Sequence, residues 1–172
     1  LAEIAKDQKD PVKIASVKKA IDTFARFLKE GHNGKWLDWP YQRRVRSIAG
    51  TAFLLGAMLE LEVPGYEATM KQMTDAIISL QQPDGKLLTD FAGNYRDVDQ
   101  MYYPGETLLI LARYYKKTKY KPALEAVEKA YEFYQAFWNN KENQQGPFVP
   151  WQVRAYQEAW SITKDRRYAD FV

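Results

Sequence analysis

The sequence contains no cysteine and only one histidine. The lack of cysteine excludes both a disulfide framework and a thiolate metal site. No stretch approaches the roughly 20 apolar residues that a membrane-spanning helix needs, so we predict a soluble protein without a membrane partner and leave its compartment open. With 25 basic and 22 acidic residues, the net charge of +3 is too small and too scattered to indicate nucleic-acid binding.

Several nucleotide and catalytic signatures are also missing. The chain has neither a glycine-rich phosphate loop nor a Gly-x-Ser-x-Gly elbow. Asp97 and Asp99 stand two residues apart, but this pair alone lacks the spacing of a calcium-binding loop. We therefore expect neither a cofactor nor a metal ion, and the sequence does not indicate an oligomeric state.

Aromatic residues are abundant, with 12 Tyr, 8 Phe and 5 Trp among 172 residues. Most such rings fill gaps between helices, so rings outside the helical patterns are the more informative ones. The length suits one domain with a core. The chain starts at Leu1 and ends at Val172 inside an apparent helix, and we expect it to be a piece of a longer protein.

Apolar residues repeat at helical spacing along most of the chain. The first predicted helix starts at Pro11, carries Ile14, Val17, Ile21, Phe24 and Leu28, and ends at glycines 31 and 34. Residues 35–40 are predicted as loop, and no strand of useful length is predicted. The remaining predicted helices cover about 41–61, 66–81, 104–117, 122–138 and 150–163, and a seventh starts near Arg167.

The loops between these helices alternate in length. Residues 62–65, 118–121 and 164–166 form short turns, whereas residues 31–40, 82–103 and 139–149 form long loops. The pattern indicates antiparallel helical hairpins with a repeat of roughly 45–55 residues. The second, fourth and sixth helices then run in the same direction, and all long loops lie at one end, where function is usually located.

The long loops combine flat rings with carboxylates and amides. The candidate residues are Trp36, Asp38 and Trp39 in the first loop, Arg96, Asp97, Asp99, Tyr102, Tyr103 and Glu106 around the second, and Trp151 and Gln152 after the third. Rings stack on the apolar faces of sugars, and the polar groups bind sugar hydroxyls. Alternatively, the rings seal the hairpin ends and the acids cap helices, which would explain Asp38 and Glu106.

The hairpin period, the Tyr102–Glu106 segment that opens a helix, and the Thr163–Ala169 turn together resemble the (α/α) toroid proteins of the six-hairpin glycosidase-like group. Residues 79–85 also resemble an element of squalene-cyclase and prenyltransferase-type toroids. The resemblance implies an all-α fold of consecutive antiparallel hairpins. Residues 1–172 would form a single domain, a partial (α/α) toroid of about half a ring, with the second, fourth and sixth helices around a central cavity.

This resemblance implies a carbohydrate-active protein. A glycosidase needs two carboxylates, for which the candidates are Asp97, Asp99, Glu106, Asp90 and Asp38. A lyase or epimerase would use Tyr102 and Tyr103. The ligand-binding candidates are Trp36, Trp39 and Trp151 for stacking, Asp38, Arg96 and Gln152 for hydroxyls, and Arg43 for the carboxylate of an acidic glycan.

Two other hypotheses stay open. A helical-repeat interaction module would bind a protein or peptide along an open surface without catalysis. A terpenoid-cyclase-like toroid would need a closed cavity lined by aromatic residues.

Overall fold

A computed structural model describes residues 1–40 and 46–171. Within these residues the chain is mostly helical, as predicted. The helices are α1 (Ala2–Asp7), α2 (Pro11–Ala25), α3 (Ile48–Leu61), α4 (Glu67–Ser79), α5 (Tyr103–Thr118), α6 (Lys121–Asn139), α7 (Phe148–Thr163) and α8 (Arg166–Phe171). Two strands, β1 (Leu28–Gly31) and β2 (Gly34–Leu37), and two 3-10 turns (Asp97–Met101 and Lys141–Asn143) complete the described secondary structure.

The short turns share one backbone device. The residues directly after α3, α5 and α7 are Glu62, Lys119 and Lys164, with φ angles of 50°, 60° and 60°. A left-handed residue after a helix lets its N–H satisfy a carbonyl of the last turn. Each of these N–H groups indeed donates to a carbonyl four residues earlier. The predicted hairpin repeat therefore has a common local geometry at its closed end.

Helices α3, α5 and α7 lie side by side and run in the same direction. At their first turns, Gly105 of α5 lies against Trp151 and Gln152 of α7. At their last turns, Lys117 Nζ donates to the carbonyl of Leu59 at 3.0 Å. The first turns of α5 and α7 therefore lie together, as do the last turns of α3 and α5. Because the helices run in the same direction, the loops 82–103 and 139–149 lead into α5 and α7 at the same end of the protein.

Helices α4 and α6 form a second layer, with α4 against α3 and α6 against α5. Tyr120, just before α6, donates through its hydroxyl to Asp75 of α4 at 2.6 Å. Gln81, just after α4, donates to the carbonyl of Ala126 at 2.8 Å. The core fills the space between the layers with buried aliphatic and aromatic side chains.

A β-hairpin replaces part of the first predicted helix and the loop after it. Helix α2 ends at Ala25, and Leu28 pairs with Leu37 in an antiparallel ladder that closes at Gly31 and Gly34. His32 and Asn33 occupy the turn with φ angles of 52° and 59°, the left-handed pair that a tight hairpin requires. The prediction of no strand was wrong, and so was the loop assignment of residues 35–37.

The start of the second predicted helix also differs. Helix α3 begins at Ile48, where the Ser47 hydroxyl accepts a hydrogen bond from the N–H of Gly50 at 3.2 Å. Arg46 lies before this helix, and its carbonyl accepts a hydrogen bond from the N–H of Phe91 at 3.1 Å. The remainder of the predicted start, residues 41–45 including Arg43, lies outside the described residues.

No helix within the described ranges combines the length and apolar character needed to cross a bilayer.

Gly34 tests the packing of the hairpin on α4. A methyl group at this position would overlap the carbonyl oxygen of Gln72, so Gly34→Ala forces the hairpin away from the helix. We expect the free energy of unfolding to fall by about 1–3 kcal/mol in denaturant titrations. Gly146→Ala is the control, because its methyl group would meet no atom within 4 Å. Equal stability of the two variants would contradict the tight packing.

Candidate functional site

A groove with a volume of about 1390 Å³ runs along one face of α3, α5 and α7 and is closed on its other side by α1 and α2. We call it the helix groove. Leu54 of α3 and Leu109 and Ile110 of α5 contribute aliphatic walls. A cleft of this size and composition has the features of a ligand-binding site.

Four aromatic rings border the helix groove: Phe24, Trp39, Phe53 and Trp151. Trp39 lies between Phe24 and Phe27, with each ring centroid 4.7 Å away. Phe53 is 46% exposed and meets the Trp151 ring edge-on at 6.1 Å. The structure therefore brings together Trp39 and Trp151, two of the three predicted stacking residues, along one surface.

Glu106 lies on α5 one helical turn before the groove wall, and it is not itself among the residues that line the groove. It stands three and four residues before Leu109 and Ile110, a spacing that puts the three side chains on the same side of α5. Its side chain is 9% exposed and has no hydrogen-bond or ion-pair partner within residues 1–40 and 46–171. Burial raises the pKa of Glu106 to about 7.

This environment gives Glu106 a proton to donate near neutral pH. A carboxyl that is buried without a neighbouring cation stays neutral up to a higher pH than an exposed carboxyl, because burial removes the hydration of the charged form. General acids in active sites are tuned in this way. Of the predicted site residues, Glu106 is therefore the one whose surroundings suit acid–base chemistry.

Arg96, Asp99 and Tyr103 form a cluster at the start of α5. Arg96 Nε donates to Asp99 Oδ2 at 3.1 Å, and Arg96 Nη2 donates to Asp99 Oδ1. Tyr103 is also in contact with the Arg96 guanidinium, whose pKa is raised first by Asp99 and to a smaller extent by Tyr103. Tyr103 lies one turn before Glu106 on α5, so this cluster precedes Glu106 along the helix.

Asp97 and Tyr102 face other surroundings. Asp99 is only 5% exposed, whereas Asp97 is exposed and lines a second cavity of about 440 Å³. The tight 3-10 turn over Asp97–Met101 sends the two carboxylates to different sides. Tyr102 is 36% exposed. The structure thus separates Asp97 from the predicted acidic cluster.

The first long loop is largely occupied by its own contacts. Trp36 stacks on Phe91 with ring centroids 5.2 Å apart, which covers one ring face. Asp38 forms ion pairs with Lys29 and with Arg46 Nε, the latter at 2.6 Å. Burial alone would raise the pKa of Asp38, but Lys29 and Arg46 outweigh burial and hold it below the ordinary value.

Gln152 is also enclosed, because its side chain is 2% exposed and its Oε1 has no hydrogen-bond partner in the described part of the chain. Gln152 packs beside Gly105, where the backbones of α5 and α7 are in close contact. This position is inside the helix pair and not on the groove surface. Arg43, predicted to bind a glycan carboxylate, falls outside the described ranges.

Sequence reasoning missed the basic residues on the groove. Arg113 of α5 pairs with Glu3 of α1, and Lys116 pairs with Glu158 of α7 at 2.6 Å. Arg154 lies over the Trp151 ring at 5.5 Å. Their helical spacing from Ile110 and Trp151 indicates that these residues share one helix face. The sequence alone does not show that this face lines a groove. Across the described residues, no three His, Asp or Glu side chains converge to hold a metal ion.

No protein-family model matches this chain, and no curated protein or solved structure matches it either.

The raised pKa of Glu106 makes stability depend on pH. Because the folded pKa of about 7 exceeds the ordinary value of 4.5, the contribution of Glu106 to stability is fully present below pH 4.5 and is lost as pH rises through 7. Glu106→Gln should remove this loss. We expect the variant to gain about 2–3 kcal/mol relative to the wild type between pH 5 and pH 8, measured by urea unfolding.

Asp38→Asn supplies the contrast. The pKa of Asp38 is lowered below its ordinary value. Its stabilising effect is therefore fully present at any pH above that ordinary pKa and is lost only in stronger acid. This variant should therefore lose the same stability at pH 5 and pH 8. A Glu106→Gln difference that is constant over this range would show that Glu106 is not a buried neutral acid.

Proposed function

We propose that this chain is part of a carbohydrate-active protein of the (α/α) toroid type, in which the helix groove holds a glycan and Glu106 donates a proton during cleavage of a glycosidic bond. The single observation that carries the proposal is the buried carboxyl of Glu106, one helical turn before the groove wall, which has no partner among the described residues and a pKa of about 7. Perturbed carboxyls in clefts are enriched at catalytic sites.

The rings along the groove support a sugar as the ligand. Trp39 and Trp151 line the groove, and Phe53 leaves nearly half of its surface exposed beside Trp151. Indole and phenyl rings offer flat apolar surface to the C–H faces of a pyranose. Arg154, held over Trp151, supplies hydrogen-bond donors for hydroxyl or carboxylate oxygens at the same place.

The second carboxylate of a glycosidase would be Asp99 in this proposal. Arg96 orients Asp99 through two hydrogen bonds, and Tyr103 ties this pair to the turn of α5 that precedes Glu106. In most glycosidases the acid protonates the leaving oxygen while the other carboxylate activates water or attacks the sugar. Asp97 has no part in this arrangement, because it lines the second cavity.

A second candidate function is docking of a partner protein without catalysis. It is favoured by the aliphatic walls of the groove and by the first long loop, whose Trp36 and Asp38 are engaged internally. An open apolar helix face suits the side chains of a protein partner. The two functions differ in what Glu106 contributes, because docking needs no proton donor.

Turnover of a panel of 4-nitrophenyl glycosides tests the catalytic proposal. Glu106→Gln should lower kcat by at least about 100-fold with little change in KM, because a general acid acts in the transition state. The wild-type rate should decline above about pH 7, where Glu106 loses its proton. Glu125→Gln, an exposed carboxylate on α6, is the matched control and should keep full activity.

Trp151→Ala should weaken capture on a glycan array while leaving the pH dependence of turnover unchanged. Unaltered kcat in Glu106→Gln would refute the assignment of the acid. If no glycoside is turned over or captured, and Phe53→Ser abolishes binding of a protein partner, the docking function is the correct one.

A further inference from the structure

The second cavity lies apart from the helix groove, on the side of the long-loop end next to α6. Its volume is about 440 Å³, and three separate segments of the chain form its walls. Lys86 comes from the turn after α4, Asp97 from the 3-10 turn before α5, and Glu142 and Gln145 from the loop after α6. We call it the loop pocket. None of its lining residues lines the helix groove.

The wall formed by the first two segments is held in place from behind. The Gln100 side chain donates to the carbonyl of Leu87 at 2.9 Å and accepts from the Tyr134 hydroxyl at 2.9 Å. The same hydroxyl accepts from the N–H of Leu87 at 3.2 Å. This buried network fixes the segments that carry Lys86 and Asp97 relative to α6.

The third wall is fixed by contacts at the end of α6. Asn143 Nδ2 donates to the carbonyl of Phe137 at 3.0 Å, and Asn140 Oδ1 accepts from the N–H of Glu142 at 3.2 Å. The loop is therefore folded back onto its own helix. A pocket whose walls are held by internal hydrogen bonds loses little conformational freedom when a ligand binds.

The polar side chains that line the loop pocket take no part in the hydrogen bonds that hold its walls. In the described ranges, the side chains of Lys86, Asp97, Glu142 and Gln145 have no hydrogen-bond or ion-pair partner. Two carboxylates against one ammonium leave an excess of negative charge, and Phe137 and Met101 add apolar surface. This set suits a small ligand that combines a cation with hydroxyl groups and an apolar face.

We infer that the loop pocket binds an amino sugar, with the ligand ammonium between Asp97 and Glu142 and its hydroxyls at Lys86 and Gln145. The Lys86 ammonium donates to hydroxyl oxygens, and the Gln145 amide both donates and accepts. The apolar side of the sugar ring rests on the wall formed by Phe137 and Met101. This inference does not rest on the function of the helix groove, because the two cavities share no residue.

Calorimetric titration with glucosamine, and separately with glucose, tests the inference on the whole chain. The two sugars differ at one position, where glucosamine carries the ammonium. Glucosamine should bind more tightly by about fivefold or more, since its ammonium would form two exposed ion pairs that each contribute up to about 1 kcal/mol. Equal affinities, tighter binding of glucose, or no heat of binding for glucosamine would overturn the inference.

Variants locate the binding. Asp97→Asn and Glu142→Gln should each weaken glucosamine binding about two- to fivefold and leave glucose binding nearly unchanged, because each removes one charge at constant size. Glu125→Gln removes one charge elsewhere on α6 and should leave both affinities as they are. Circular dichroism of each variant confirms that it is folded. Glucosamine binding that survives the double variant Asp97→Asn/Glu142→Gln would place the ligand elsewhere and refute the loop pocket as its site.

Discussion

The close side-by-side packing of α3, α5 and α7 depends on glycines at the points where these helices meet. A methyl group on Gly105 would come within 2.8 Å of Trp151 Cβ, and one on Gly56 would come within 2.8 Å of Ile110 Cδ1. With no side chain in the way, the backbones approach closely. The three helices run in one direction, which places the long loops at one end, and Glu106 directly follows the contact of Gly105 with Trp151. Both the groove and its proposed acid therefore depend on this packing.

Glu106 shows two opposing effects at the same helix terminus. The first turn of a helix favours a negative charge, because its free N–H groups point outward. Burial opposes the charge and outweighs the helix here, which raises the pKa to about 7. Asp38 shows the reverse balance, since Lys29 and Arg46 offset its burial. Two buried carboxyls at the same end of the protein are therefore suited to different roles, a neutral acid and a structural anion.

Much of the helical framework could be predicted, and the failures have identifiable causes. Apolar periodicity and proline and glycine positions located most of the helices and all three short turns. The hairpin was missed because Leu28 continues the helical spacing of Phe24, and because His32 and Asn33 are not the usual Asn-Gly turn pair.

The candidate site was predicted only in part. Trp39, Trp151 and Glu106 came from loop composition, and the structure arranges the two tryptophans along one groove with Glu106 one helical turn before its wall. The separation of Asp97 from Asp99 depends on a 3-10 turn that no local sequence pattern indicated. The burial of Gln152 depends on the contact between α5 and α7. Contacts between residues far apart in sequence, such as Trp36 with Phe91, lie beyond any local pattern.

Backbone hydrogen bonds join Arg46 and Ile48, at the start of α3, to Phe91 and Thr89 in the loop before α5. The most extensive helix contacts, α3 with α5 and α5 with α7, likewise join elements that are separated in sequence by a whole helix. Each such contact requires closure of the intervening chain, with the entropy loss that closure brings. We therefore expect the long-loop end to form more slowly than the individual helices, because its contacts need distant segments to meet.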